Sequence, residues 1–137
     1  VPEAGMRNRE AGLWKILKEG LQRTGRRIET TRLESWAVPG VPDVLLCAEN
    51  GLFAFLELKV VHYRKINLSA HQCAWLSRHG HSNCWIITRN SDLDINCYHG
   101  ADVVDLRMGG VTAVAAVATF SEPYDWEEFF QLICPHG

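Results

Sequence analysis

Apart from one glutamate at a turn, three charged side chains stand in an otherwise apolar stretch, GVPDVLLCAENGLFAFLELK, which covers residues 40–59. They are Asp43, Glu57 and Lys59, and Glu49 falls beside an Asn-Gly turn signal between them. A charge among apolar neighbours destabilises a fold by several kcal/mol unless a partner offsets it. Two carboxylates beside a lysine can form an internal salt bridge. They can instead hold a divalent cation and hydrolyse an anionic substrate.

The length of one turn decides whether these carboxylates meet. Side chains two residues apart share a strand face, so Glu57 and Lys59 point the same way. A two-residue loop would pair residue 43 with residue 58 and place Asp43 on the opposite face. A three-residue loop over 49–51, with Gly51 in the left-handed region, pairs residue 43 with residue 57. The sequence favours the three-residue loop, which predicts adjacent carboxylates.

Adjacent carboxylates ionise together easily only when a cation lies between them. Oxygen ligands suit Mg²⁺ or Mn²⁺, which take one or two carboxylates and add phosphate oxygens from the substrate. A lysine beside them can orient a water molecule, and the set fits phosphodiester hydrolysis. Spacing alone leaves the salt bridge between these three residues as an open alternative.

The elements that must position these residues follow from hydrophobic periodicity. Apolar residues at helical spacing predict a helix over 10–21, and Glu10 lies on the stripe that faces the protein. Strands are predicted over 26–38, 43–48, 53–60 and 83–88. Ser69 and Gln72 form a capping-box pattern, which predicts a helix from Ser69 to Gly80.

The tail after residue 90 is less regular. Residues 95–99 and 101–107 resemble short strands, 111–120 suits either a strand or a helix, and a terminal helix begins at Asp125. The order α-β-β-β-α-β predicts an α/β protein with a mixed central sheet flanked by helices. We expect one domain over residues 1–137.

Charge is divided unevenly along the chain. The net charge is −2, yet up to Arg78 there are 12 Lys and Arg against 8 Asp and Glu, and from His79 onward 2 against 8. This asymmetry suits either a nucleic-acid-binding face or two ordinary solvated faces. The basic residues expected to contact DNA are Arg7, Arg9, Arg26, Arg27, Arg32, Arg64 and Lys65.

Composition narrows the cellular setting. The five cysteines are separated and lack CxxC spacing, which favours a reducing compartment over disulfides or a zinc site. The sequence has no membrane-spanning apolar run and no signal-peptide pattern, so we expect an intracellular protein without a membrane partner.

The string GVPDVLL…FLELK…LSAHQCAWL…HG resembles the PD-(D/E)XK nuclease superfamily, in its VRR-NUC branch and in related phage nucleases and Holliday-junction resolvases. The likeness covers residues 40–88 and implies a restriction-endonuclease-like core. It implies that Asp43, Glu57 and the Leu58 backbone carbonyl bind Mg²⁺ or Mn²⁺, and that Lys59 positions or activates the attacking water.

Two further site residues come only from this resemblance. A helix-borne acid would complete the metal site, and either Glu10 or Glu34 can take that place, with Glu10 preferred for its inward stripe. Gln72 would support Lys59 or a phosphate, although it can equally serve only as the capping-box partner. The segment VVHYRKIN after the ExK motif departs from the family pattern, as does the tail after residue 90.

The function that the resemblance implies is a metal-dependent, structure-selective DNA endonuclease for branched or junction DNA. Junction-resolving relatives act as symmetric dimers, so a homodimer is expected by analogy, and the likeness to phage nucleases is compatible with a viral origin. Two alternatives remain: a non-catalytic DNA-binding module that keeps the nuclease fold, and an interaction protein with a salt-bridged hairpin.

Overall fold

The computed structural model describes the backbone of residues 2–33 and 38–135, and the side chains of 10–33 and 38–135. Within these ranges four α-helices flank a mixed open sheet of six strands. The helices are α1 (Pro2–Arg23), α2 (Ala70–His79), α3 (Val103–Gly109) and α4 (Trp126–Ile133). The strands are β1 (Ile28–Arg32), β2 (Val44–Ala48), β3 (Phe53–Val60), β4 (Cys84–Arg89), β5 (Ile95–His99) and β6 (Ala118–Phe120). None of the helices described is long and apolar enough to cross a membrane.

The six strands lie in the sheet in the same order as in the chain. All neighbouring pairs are antiparallel except β3 and β4, which are parallel. Parallel neighbours need a crossover connection, and α2 provides it. The predicted order α-β-β-β-α-β is confirmed, and the candidate site residues Glu57 and Lys59 lie on the central strand β3.

Each face of the sheet is covered by its own pair of helices. On one face α1 and α4 pack on the even-numbered residues of β2 and β3, with Leu17, Leu56 and Phe129 almost fully buried. On the other face α2 and α3 pack on β4 and β5, with Leu76 and Leu106 inaccessible to solvent. The alternation of β3 therefore places its odd-numbered residues on the α2 face.

Local capping signals locate two helix starts correctly. The Ser69 side chain accepts a hydrogen bond from the Gln72 N–H at 3.1 Å, and Gln72 Oε1 accepts one from the Ser69 N–H at 2.9 Å. At α4, Asp125 Oδ1 accepts from the Glu128 N–H at 3.0 Å. Both caps satisfy N–H groups that a helix start leaves unpaired, and both predictions are confirmed.

One element was predicted wrongly. Residues 101–107 were expected to form a short strand, but they belong to a 3₁₀ turn over Gly100–Asp102 and to α3. Val103 and Leu106, three residues apart, are both fully buried against α2, which a helix allows and a strand does not. For residues 111–120 the two options were left open, and a 3₁₀ turn precedes a short strand there.

Candidate metal-binding and catalytic site

The hairpin between β2 and β3 has the predicted register. Val44 pairs with Leu56, and the Ala48 N–H donates to the Leu52 carbonyl at 2.9 Å, which closes a three-residue loop over 49–51. Gly51 has a φ of +87°, in the left-handed region that such a loop needs. Continuing the register by one residue places Asp43 opposite Glu57, so the parity prediction is confirmed.

Glu57 and Lys59 are buried side by side on one face of β3. Glu57 is 0% exposed and Lys59 is 7% exposed, and with Thr88 they are the buried polar or charged residues of the described part. Neither Glu57 nor Lys59 forms an ion pair within 4.0 Å with any described residue. The internal salt bridge considered from the sequence is therefore not formed among the residues described.

The Glu57 carboxyl is the least satisfied polar group of this site. Both of its oxygens are buried without a hydrogen-bond donor from the described residues. Burial raises the pKa of Glu57 well above its ordinary value, the nearby Asp43 carboxyl raises it further, and Lys59 lowers it. Asp43 lies within hydrogen-bonding reach of Glu57, and such a bond needs a proton on one of the two carboxyls.

Asp43 is anchored immediately before β2 begins. Its Oδ2 accepts a hydrogen bond from the Leu58 N–H at 3.0 Å. The register places Pro42 opposite Leu58, and proline has no N–H to donate to the Leu58 carbonyl. Pro42 therefore ends the hydrogen-bond ladder between β2 and β3. The Leu58 N–H donates to the Asp43 side chain instead, and the Leu58 carbonyl receives no N–H from position 42.

The N-terminal helix brings a third carboxylate towards this site. Glu10 is half-buried on α1, and burial raises its pKa. Lys59 and Arg32 lower that pKa while Asp43 raises it, so all three charges lie within electrostatic range of Glu10. The prediction that the Glu10 stripe faces the protein is confirmed. Its rival Glu34 lies outside the described residues.

Gln72 is committed to the cap of α2. Its Oε1 accepts the hydrogen bond from the Ser69 N–H that completes the capping box, so the capping role considered from the sequence is observed. The geometry gives no support to a catalytic role. The start of α2 is nevertheless held near the site. Gly40 has a φ of +91°, and a Cβ there would overlap the His71 carbonyl oxygen. A side chain at position 40 would push the loop that carries Asp43 away from α2.

The basic residues expected to contact DNA differ in their surroundings. Arg26 pairs with Glu49 at 2.9 Å and with Glu127, and its guanidinium lies over the Phe130 ring at 4.7 Å. These pairs join the basic half of the chain to the acidic α4 and give Arg26 a structural role. The side chains of Arg7 and Arg9 lie outside the described residues. Four others are exposed: Arg27, Arg32, Arg64 and Lys65.

Sequence reasoning missed Thr88. It is the strand neighbour of Lys59 in the parallel pair, is 0% exposed and shares the face of Glu57 and Lys59. Its hydroxyl lies near that of Tyr98, but no hydrogen bond of good geometry joins it to a described group. The available signal was a polar residue within the buried strand CWIITR, in register with the ExK motif.

The donor set suits a metal ion that takes most of its ligands from water and substrate, because the protein supplies few. Among the residues described, no group of three or more His, Cys, Asp or Glu side chains is close enough to hold a metal ion. The site therefore brings together two carboxylates, Asp43 and Glu57, beside the Leu58 backbone and Lys59. Mg²⁺ sites with one or two protein carboxylates plus substrate phosphates have this composition.

Comparisons with known proteins add no assignment to this geometry. The chain matches no protein-family model, no curated protein and no solved structure.

Proposed function

We propose that the protein is a divalent-metal-dependent endodeoxyribonuclease with a restriction-endonuclease-like core of the PD-(D/E)XK type. The observation that carries this proposal is the Glu57 carboxyl, fully buried with both oxygens unpartnered beside Asp43 and Lys59. A buried carboxylate without donors is strongly destabilising unless it takes up a proton or a cation satisfies it. A structural ion pair with Lys59 would have removed that need, and it is not formed among the described residues.

The residues present fit Mg²⁺ or Mn²⁺. The orphaned oxygens of Glu57, a carboxylate oxygen of Asp43 and the Leu58 carbonyl are hard oxygen donors, and no described imidazole or thiol joins them. A bound Mg²⁺ would supply Lewis-acid stabilisation of phosphate charge and would lower the pKa of a water ligand. Glu10 lies farther out on α1 and extends the negative field that attracts the cation.

The residues of the chain then have distinct roles. The Leu58 N–H holds Asp43 in place, so that this carboxylate does not have to be ordered when substrate binds. Lys59, buried on the same face as Glu57, orients the attacking water and the scissile phosphate. In the reaction the water oxygen bonds to phosphorus and the P–O bond to the leaving oxygen breaks. Solvent takes up the proton of the attacking water and supplies a proton to the leaving oxygen.

The exposed cations support binding to a polyanion. Arg27, Arg32, Arg64 and Lys65 are exposed and can contact backbone phosphates, which gives affinity without sequence specificity. Structure-selective cutting of branched DNA and a homodimeric enzyme remain part of the proposal by analogy with junction-resolving nucleases.

The experiment is a cleavage assay on labelled linear, flapped and four-way DNA with Mg²⁺, Mn²⁺ or EDTA. We expect cutting that needs the metal, and a loss of about 10²–10⁴-fold in rate for Asp43→Asn, Glu57→Gln and Lys59→Met. Lys15→Met, which removes an exposed helix lysine, serves as the control and keeps the wild-type rate.

Two results would contradict the proposal. Binding without cutting in any metal would identify a DNA-binding module that has kept the nuclease-like site. Neither binding nor cutting would leave an interaction protein whose buried carboxyl is protonated.

A further inference from the structure

A tight hairpin follows β3, in the segment that departs from the nuclease pattern. The His62 N–H donates to the Lys65 carbonyl and the Lys65 N–H to the His62 carbonyl, both at 2.9 Å. The two residues at its tip, Tyr63 and Arg64, have φ values of 49° and 64°. Two central residues at positive φ are the geometry of a type I′ turn, for which Asn-Gly is the favoured sequence.

Tyrosine and arginine are poor choices for this backbone. Side chains with a Cβ are strained in the left-handed region, and such strain concentrates at functional positions. The fold alone would be better served by glycine at position 64. The identities of Tyr63 and Arg64 therefore point to a use for their side chains.

The tip is held rigidly by the tail of the chain. The Arg64 carbonyl accepts a hydrogen bond from the Val111 N–H at 3.0 Å. Gly110, at a φ of +73°, lies so close that a Cβ would overlap the same carbonyl oxygen. Because the backbone is already fixed, the tip loses little conformational entropy when it binds a partner.

The tip displays an exposed aromatic ring beside two cations. Tyr63 is 86% exposed, and the His62 ring packs edge-on against it with the centroids 4.4 Å apart. Arg64 and Lys65 beside it are both exposed. An aromatic platform with neighbouring cations matches single-stranded nucleic acid, because the ring stacks on a base and the cations meet phosphates. The bases of an intact duplex are stacked on each other and offer no free face to such a ring.

The tip also lies close to the proposed catalytic residues. Tyr63 is four residues after Lys59, so their Cα atoms are at most ~14 Å apart. This distance equals about four base steps of 3.4 Å along one strand. Side chains extend further from both Cα atoms, so a base stacked on Tyr63 would lie a few nucleotides from the phosphate at the metal site.

We propose that the 62–65 hairpin is a wedge that stacks Tyr63 on an unpaired DNA base and holds the flanking phosphates with Arg64 and Lys65. This inference rests on the proposed nuclease function and names its substrate class: DNA with a branch point or single-stranded region next to the cut.

The test compares binding of a duplex, a single strand and a flapped duplex, with 2-aminopurine at the unpaired bases next to the branch and EDTA to prevent cutting. The main variant is Tyr63→Asn, since asparagine tolerates positive φ and keeps the turn. Tyr63→Phe retains the ring, and Met108→Ala removes another highly exposed apolar side chain as the control.

We expect Tyr63→Asn to weaken binding to the single strand and the flapped duplex by about 5- to 150-fold, the range for losing one base–aromatic stack. Duplex affinity should change less than twofold, and quenching of 2-aminopurine should be lost. Tyr63→Phe should restore both, and Met108→Ala should behave like the wild type.

Three outcomes would overturn the wedge, and they separate it from the nuclease proposal. Equal affinities of Tyr63→Asn and wild type, with cutting intact, would refute the wedge alone. An equal loss of affinity for all three DNAs would show that the tip contacts the DNA backbone without selecting unpaired bases. A wild-type chain that binds no DNA would refute both proposals and leave a protein as the occupant of the tip. Selective binding through Tyr63 without any cutting would instead refute the nuclease alone.

Discussion

Replacing Glu57 by glutamine should make the metal-free protein more stable. The change removes a charge that is fully buried, with both oxygens unpartnered, and keeps the shape of the side chain. Leaving a buried charge without a partner costs about 3–5 kcal/mol, but the glutamine amide that replaces it stays unsatisfied at a cost of about 1–3 kcal/mol. We therefore expect a gain of about 1–2 kcal/mol at pH 8 in EDTA.

This gain is large enough to measure by thermal unfolding. For 137 residues the entropy of unfolding is about 0.3 kcal/mol/K, so the melting temperature should rise by about 3–7 °C. Glu29→Gln, on an exposed position of β1, is the matched control and should change the melting temperature by less than 2 °C or so.

The gain should depend on pH in a defined direction. The pKa of Glu57 is raised from 4.5, so between 4.5 and the higher folded value the folded protein binds more protons than the unfolded chain. The free energy of unfolding therefore falls as the pH rises through this interval. Glu57→Gln lacks this dependence, so its advantage should be small below pH 4.5 and should grow towards pH 8.

Mg²⁺ should reverse the order of the two proteins. At a concentration 100-fold above the dissociation constant, a ligand that binds only the folded state adds about 2.7 kcal/mol, or about 9 °C here. The wild type should show this increase and Glu57→Gln should not. The reasoning fails if Glu57→Gln is less stable than the wild type in EDTA at pH 8. In that case the carboxylate would already have a partner within the protein.

Three further substitutions test close contacts of the fold, one beside the site and two between α1, its following turn and α4. Gly40→Ala should destabilise the protein by about 2–4 kcal/mol, because the new Cβ is strained at a positive φ and overlaps the His71 carbonyl. A loss below about 1 kcal/mol in a denaturant titration would contradict this close contact. Gly20→Ala should also destabilise the protein, by about 1–3 kcal/mol, because overlap of the new Cβ with the Trp126 ring outweighs the gain of about 0.5–1 kcal/mol in helix propensity. A raised melting temperature would exclude this contact between α1 and α4. Arg26→Gln should lower the melting temperature, because its ion pairs are lost, and should leave the affinity for duplex DNA unchanged. An unchanged melting temperature with weakened duplex binding would show that Arg26 contacts DNA.

The core of the candidate site was predictable because it depends on local rules. Strand alternation places Glu57 and Lys59 together, and the Glu-Asn-Gly loop sets the register that brings Asp43 to them. The start of α2 at Ser69 follows from the capping box in the same local way. None of these features needs knowledge of distant contacts.

The features that were missed depend on contacts far apart in the chain. Val103 and Val104 are both β-branched, which favours a strand, but the segment forms the helix α3 because this helix buries Val103 against α2. Thr88 is an ordinary strand residue until the parallel pairing places it beside Lys59. The turn at Tyr63 and Arg64 has no glycine or asparagine signal, because residues near Gly110 hold its strained backbone.

The three-residue loop over 49–51 has a consequence for how the chain can vary. An insertion or deletion of one residue that shifted the register would turn Asp43 away from Glu57 and would also move the buried Val44, Leu46 and Ala48 to the opposite face. Length changes of two residues would preserve the pairing of the two carboxylates. The apolar residues of β2 therefore select the same register as the two carboxylates, although the turn lies at the far end of the hairpin from Asp43 and Glu57.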